Sequence, residues 1–452
     1  MVSQASQQAA EDSGRIPVAA RWPRSRWLRV GGVALLVLLY CALWNLVARF
    51  PIDRNDLDAF FMPAARIVLN GHPFDAYSLR YLDLYPNANG PLSLAPLTLA
   101  TAVASWQGVL ADMTLRRVVV LTIFAPFVLL MAREAVGAID RLRGERLAGW
   151  ARFAVYAVFA LSPEVWHSML FYGHVEQPIM LWLALLGIRQ LVAKRPAWAG
   201  LLLGLALLTR SSALLLVIPL AALLARDRDW RALWRFGAAM AATIAAVLAP
   251  FAIADGRDVL YSLVTFHARL LVGGGSLWGL ALGTPLEAFA QRYDSATVLL
   301  MATLLTALVV LRRRDLTLAS PALFLLLSLS SLCFSLLLKT LWPYYFLEPF
   351  TLLAIGWFAA APSLADRLSA WLRWGLALIL PALTIALAAL REYGITMDQT
   401  QGESRPVTIV LTITLALTMG VILSLLLRRA PARRATSASV PLPGWPVPAP
   451  DE

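Results

Sequence analysis

Two cysteines in 452 residues, Cys41 and Cys333, both inside apolar runs, leave no room for a disulfide framework or a cysteine-based metal site. Charge is sparse at 15% of residues, strict polar/apolar alternation is missing, and there is no internal repeat. Without that alternation a membrane β-barrel has no strands to build from. The first apolar block, about 30–48, is not followed by a convincing small-residue cleavage site, so it reads as a retained helix rather than a signal peptide. What is abundant is apolar sequence: 59% of residues are hydrophobic and mean hydropathy is +0.68. Leu- and Ala-rich blocks recur along the whole chain, and about 20 helical residues cross the roughly 30 Å hydrocarbon core of a bilayer. The composition therefore predicts an all-α, polytopic helical membrane protein. The net charge of +12 does not imply nucleic acid, because its arginines sit in short loops between apolar blocks and in the two tails, which is the pattern of membrane orientation.

Expected spans are 30–48, 116–136, 150–170, 178–193, 197–209, 211–226, 232–254, 295–311, 318–338, 343–361, 371–391 and 406–427. A further apolar block, 91–111, would put "REAVGAIDRLRGER" outside if it crossed. Left at the outer surface, it makes "RQLVAKR", "RDRDWRALWR" and "LRRRD" all cytoplasmic, so parity favours about twelve crossings. Residues 1–29 then form a disordered basic cytoplasmic tail and 30–427 a single membrane domain whose first external loop is 49–115. The basic, Pro-rich tail 428–452 is also cytoplasmic. On this topology the external face collects "YGHVEQP" at 172–178, "LTRSS" at 208–212, the stretch 255–294 and "LKTLWPYY" at 338–345. Ionisable groups gathered at the outer ends of spans are a candidate functional site. A transporter would more readily show polar breaks near mid-membrane and paired inverted halves, and neither is visible.

Just past the first span, "RNDLDAFFMPAARIVLNG" (54–71) sets Asp56 and Asp58 beside Leu57, Phe60, Phe61, Ala64, Ile67 and Val68. Those apolar positions follow helical spacing and predict an interfacial amphipathic helix, with Pro63 suited to the first turn of a helix begun near Met62. On pattern alone, the two acids are expected to cap that helix. "GGG" at 273–275 lacks the strand-to-helix setting of a phosphate loop and reads as loop.

The runs "DLDAFFMPAARIVLNGHPFDAY", "YPNANGPLSLAPL", "GHVEQPIMLWLALLGIRQ" and "AGLLLGLALLTRSSALLLVIPL", in that order, resemble glycosyltransferase family 87 of the C-type membrane glycosyltransferases. That family is known for polyprenyl-phosphate-mannose-dependent mannosyltransferases, several acting in mycobacterial envelope assembly. The resemblance covers roughly residues 50–226, with aromatics in "LWPYY" beyond it. It implies a C-type glycosyltransferase fold with interfacial helices in a long first external loop, and it makes Asp56 the catalytic acid with Asp58 as the fallback. The chain departs from the family pattern where "YPP" reads "YPNANGP", where "GQ" and a polar residue reads "GHVEQ", and where Lys after "GLA" is Arg210, so the sugar stays open.

Chemistry supplies its own reasons for these residue types. Sugar transfer from a lipid phosphate needs a base near the acceptor hydroxyl, the role expected of Asp56. It also needs cations opposite, for the phosphate that gains charge as it departs. Arg210 leads because it interrupts apolar sequence, although an ordinary snorkelling arginine fits the same pattern. Arg116 and Arg117 suit phosphate or lipid headgroups, while Lys339, beside Trp342 and Tyr344, suits sugar or phosphate. His174, Glu176 and His267 lie in external loops, where His174 would hold the sugar or orient a carboxylate. Asp56, His174 and Glu176 lack tight metal-ligand spacing and the resembled family's donors are not generally metal-dependent, so neither metal nor cofactor is expected. The implied partners are a polyprenyl-phosphate sugar, a glycan or glycolipid acceptor and membrane lipids, without nucleic acid. A lipid or polysaccharide transporter and a lipid-linked oligosaccharide polymerase or ligase are the rival readings.

Overall fold

A computed structural model describes residues 22–49, 55–82, 85–273, 276–365, 370–392 and 405–428. The expected tails at 1–21 and 429–452 and two glycines of "GGG" lie outside the described residues. Among the described residues there is helix and no strand. The α-helices run α1 Trp22–Val47, α2 Met62–Leu69, α3 Leu94–Trp106, α4 Met113–Arg143, α5 Gly149–Ala160, α6 Gln177–Val192, α7 Pro196–Leu207 and α8 Leu214–Arg226. They continue as α9 Trp230–Leu260, α10 Pro285–Arg312, α11 Pro321–Leu337, α12 Leu347–Ala365, α13 Ala370–Glu392 and α14 Arg405–Leu427. By length and composition, four helical stretches are sufficient to cross a membrane: Met113–Arg143, Trp230–Arg269, Pro285–Arg312 and Pro406–Leu427. α9 is apolar and packs on α7 along one side while its other side is open, with Trp234 and Ile253 exposed, as suits a helix that meets lipid.

Two boundaries differ from expectation, and the block 91–111 behaves as expected. α1 begins at Trp22, so the basic segment expected to end the tail is helical from there; Pro23 is tolerated because the first turn has no N–H bond to lose. The expected span 150–170 is broken after Ala160. There Pro163, which cannot continue a helix, starts a new single turn capped by Ser162, and a π turn His167–Phe171 follows. The block 91–111 yields only the 13-residue α3, about 20 Å long at 1.5 Å per residue, short of the hydrocarbon thickness.

The helices run back and forth between two ends. At one end Arg143 reaches the Phe358 carbonyl, Arg226 those of Arg313 and Leu316, and Arg313 that of Leu426, so that arginines tie neighbouring helices and loops together through backbone carbonyls. At the other end lie the turns carrying Asp56, His174, Arg210 and Tyr344. Between the ends one continuous core holds Trp44 stacked on Trp166, with Phe124, Phe159, Leu326 and Ile355 buried. A smaller cluster of Ala64, Ala76, Tyr77, Leu94 and Val259 seats the 57–106 segment on the end of α9. There Asp255 and Asp258 accept bonds from Ser78 and from the Leu79 amide.

α7 meets α9 backbone to backbone through Gly200 and Gly204, four residues apart on one face. A methyl group at Gly200 would run into the Phe236 carbonyl, and one at Gly204 would press on Met240 and Thr243. Gly200→Val is therefore expected to cost about 1–3 kcal/mol through overpacking, read as a lowered unfolding midpoint in detergent, with Gly237→Ala, open to space, as the control.

Candidate functional site

The chain leaves α1 and turns into α2 through a π turn at Leu57–Phe61, with Met62 and Pro63 opening the α-helix as the Pro63 position predicts. Leu57, Phe61, Ala64 and Ile67 are buried and Phe60 and Val68 half-buried, so the predicted apolar stripe is real and faces protein. The capping expectation fails. Asp56 occupies the position before the turn but makes no side-chain cap bond, and Asp58 makes none either; both carboxylates are taken by side chains brought from elsewhere in the chain.

Asp56 Oδ2 lies 2.9 Å from His174 Nε2, and His174 Nδ1 lies 2.8 Å from Glu176 Oε1. Glu176 Oε1 also accepts from Arg210 Nη1 at 2.7 Å. Arg210 Nε lies 3.3 Å from Glu348 Oε1, which accepts from Ser212 Oγ at 2.6 Å. These residues form one chain of alternating charge, buried at Glu348 and opening at Asp56, whose side chain is 35% exposed. Among the described residues Asp56 Oδ1 has no protein partner. Local structure sets the register. Asn55 donates to the carbonyls of Leu170 and Phe171, and the Asp56 amide donates to that of Tyr172. Gly173, at φ 77°, lets Leu57 pass where a Cβ would sit within 3 Å of it. Tyr344 stacks on the His174 ring, 3.9 Å between centroids, with Phe61 against its edge, and Arg210 lies over the other ring system at 5.4 Å from the Tyr344 centroid.

Burial alone would push the His174 imidazole down, but the Glu176 charge and bonds to Asp56 and Glu176 outweigh it and raise it above its ordinary 6.5. Burial opposes ionisation of Glu176 as well, and His174 and Arg210 outweigh it, so that carboxyl is held below 4.5. His174 Nδ1 also lies 3.1 Å from Arg210 Nη1, so Glu176 Oε1 sits between the imidazole and the guanidinium while Nε2 faces Asp56. The consequence for pH has a definite sign. The His174 contribution is complete below pH 6.5 and is lost as pH rises through its elevated folded-state value; the Glu176 contribution is complete above pH 4.5 and is lost as pH falls through its depressed value. Thermal unfolding scanned across pH is expected to show stability falling on the alkaline side of 6.5, and His174→Gln should flatten that limb.

The other sequence candidates divide. Asp58 is buried, its two oxygens held by Arg116 Nη2 at 2.5 Å and Arg117 Nη2 at 2.9 Å, so Arg117, 1% exposed, pairs inside the protein rather than with lipid headgroups. Arg210 is no snorkelling side chain, and it stands behind His174 rather than across from Asp56. Lys339 is buried, 4.0 Å from Asp294, and donates to the Gln291 carbonyl. Tyr345 feels the charges of Asp56, Arg210 and Asp294, which puts the Lys339–Asp294 pair in the same neighbourhood. His267, exposed on the turn Phe266–Arg269, feels Arg210, Lys339 and His174. Asp56, His174 and Glu176 do meet, but with the imidazole between the carboxylates, and no cluster of three or more His, Cys, Asp or Glu suited to a metal occurs among the described residues. Sequence reasoning missed Glu348, although a lone acid at the start of apolar α12 is the same signal that singled out Arg210. Ser212 is marked only as a neighbour of Arg210 in "LTRSS", and Asn55 and Tyr172 carry no sequence signal of their own. No family profile matches the chain, and no curated protein matches it.

Proposed function

We propose that this chain is an integral membrane glycosyltransferase that moves a hexose, mannose foremost, from a polyprenyl phosphate to a hydroxyl of a glycan or glycolipid. The observation that carries the reading is the half-exposed Asp56 carboxylate, with one oxygen oriented by His174 and the other without a partner among the described residues. In a single displacement Asp56 Oδ1 takes the proton of the acceptor hydroxyl as that oxygen bonds to the anomeric carbon. The bond from that carbon to the phosphate oxygen breaks, its electron pair leaves on the phosphate, and the anomeric configuration inverts. His174 holds Asp56 Oδ2 and leaves Oδ1 for the acceptor, and a positioned carboxylate suffices where the transition state has oxocarbenium character and proton transfer comes late. Glu176, Arg210 and Glu348 act through His174.

A lipid-borne donor suits the proposed topology of about twelve crossings, with both termini in the cytoplasm and the site at the opposite face, out of reach of cytoplasmic nucleotide sugars. The gathering of Arg143, Arg226 and Arg313 at the end away from Asp56 supports that orientation. Purified protein in nanodiscs, supplied with radiolabelled polyprenyl-phosphate mannose and envelope glycolipid acceptors, is expected to form labelled product. A panel of polyprenyl-phosphate hexoses giving no product, together with lipid or glycan flux into proteoliposomes, would replace the enzyme with a transporter.

A further inference from the structure

On the side of the π turn away from His174, a cleft of about 420 Å³ opens between α2, the loop after it and the start of α4. Asp58, Arg66, His72, Tyr81, Met113 and Arg116 are among its walls. We propose that this cleft is a binding site for a phosphate group, separate from the Asp56 site and independent of whether the chain transfers sugar.

Charge is the first argument. Arg66 and Arg116 both line the cleft beside the Asp58 carboxylate, whose two oxygens are already taken by Arg116 and Arg117. Arg66 has no carboxylate partner among the described residues. Its one hydrogen bond is a long 3.4 Å donation to the Leu110 carbonyl, which already accepts from Arg116 at 2.7 Å. Arg66 is exposed along part of its length, and the partial covering of its guanidinium together with the neighbouring Arg116 charge disfavours its protonated form, a cost an anion in the cleft would relieve. Shape is the second argument. The volume suits a phosphate with its substituent, and two guanidiniums on one side offer the planar donor forks that match phosphate oxygens. His72, 3.3 Å from Asp75, stacks on Tyr81 at 5.1 Å, a wall suited to an attached polyol or glycerol. Met113 supplies an apolar contact. That chemistry is shared by free phosphate esters and by the headgroup of an anionic phospholipid.

The test uses the full chain in phosphate-free maltoside micelles with two kinds of probe: inorganic phosphate, followed by phosphorus NMR, and short-chain phosphatidylglycerol against phosphatidylcholine, followed by native mass spectrometry. Arg66 is exposed, so Arg66→Gln is expected to fold and to bind about ten- to a hundredfold more weakly, the worth of a charged hydrogen bond. Met113→Trp should block the cleft by volume with no change in charge, and Arg292→Gln, on the exposed start of α10, should bind like the parent. Phosphate binding lost in Arg66→Gln and Met113→Trp supports a free-ester site, and the same losses confined to phosphatidylglycerol support a lipid headgroup site. Equal binding by parent, Arg66→Gln and Met113→Trp, or an equal loss in Arg292→Gln, overturns the proposal.

Discussion

Asp56→Asn protein is expected to fold like the parent and to transfer sugar about 10²–10⁴-fold more slowly, the contribution of a positioned general base. The amide keeps the size of the side chain and can still hydrogen-bond His174, so little packing is disturbed. Asp56 sits at the exposed end of the charge chain, where solvent already screens the pair, and its loss costs stability modestly. Asp58→Asn is expected to do the reverse. It removes the buried carboxylate that Arg116 and Arg117 share, a loss of about 3–5 kcal/mol typical of a broken buried ion pair. Rates at saturating donor, measured beside thermal midpoints, separate the two. A parent-like rate for Asp56→Asn removes the base assignment, and a variant at Asp58 that is stable but inactive transfers it there.

Arg210→Met is expected to be among the most destabilising single changes, by about 3–5 kcal/mol. The guanidinium stands between Glu176 and Glu348, both buried, and its removal strands two carboxylates in a site that excludes water. His174 would still face Glu176, but Glu348 would keep only the Ser212 hydroxyl. Adding Glu348→Gln to Arg210→Met should return part of the loss, since the stranded charge goes with it, and the double-mutant cycle reads the coupling directly. Unfolding of Arg210→Met at the parent midpoint would reduce Arg210 to a side chain reaching for the membrane surface.

The helices were legible in the sequence because apolar runs long enough to bury or to face lipid are local signals. α6, α7, α8, α11 and α14 fall within a few residues of their expected ranges, and Pro63 marks the first turn of α2. Boundaries set by single residues were less so: Pro163 breaks the expected span 150–170 because hydropathy averages over a proline that the backbone cannot. The residue types of the site were equally legible, since a lone arginine or histidine beside apolar sequence stands out. Their roles were not, because a helix start offers Asp56 and Asp58 a capping bond from an amide two or three residues on, and only distant partners could outbid it.

Composition and periodicity by themselves determined an all-helical chain with membrane-length apolar segments and ionisable groups collected at the ends of those segments. The tertiary structure alone decided which acid meets which base. Asp56 pairs with His174 across 118 positions and Ser212 with Glu348 across 136. Such pairings depend on how helices cross, through contacts like that of Gly200 with the Phe236 carbonyl, and no local pattern encodes a crossing.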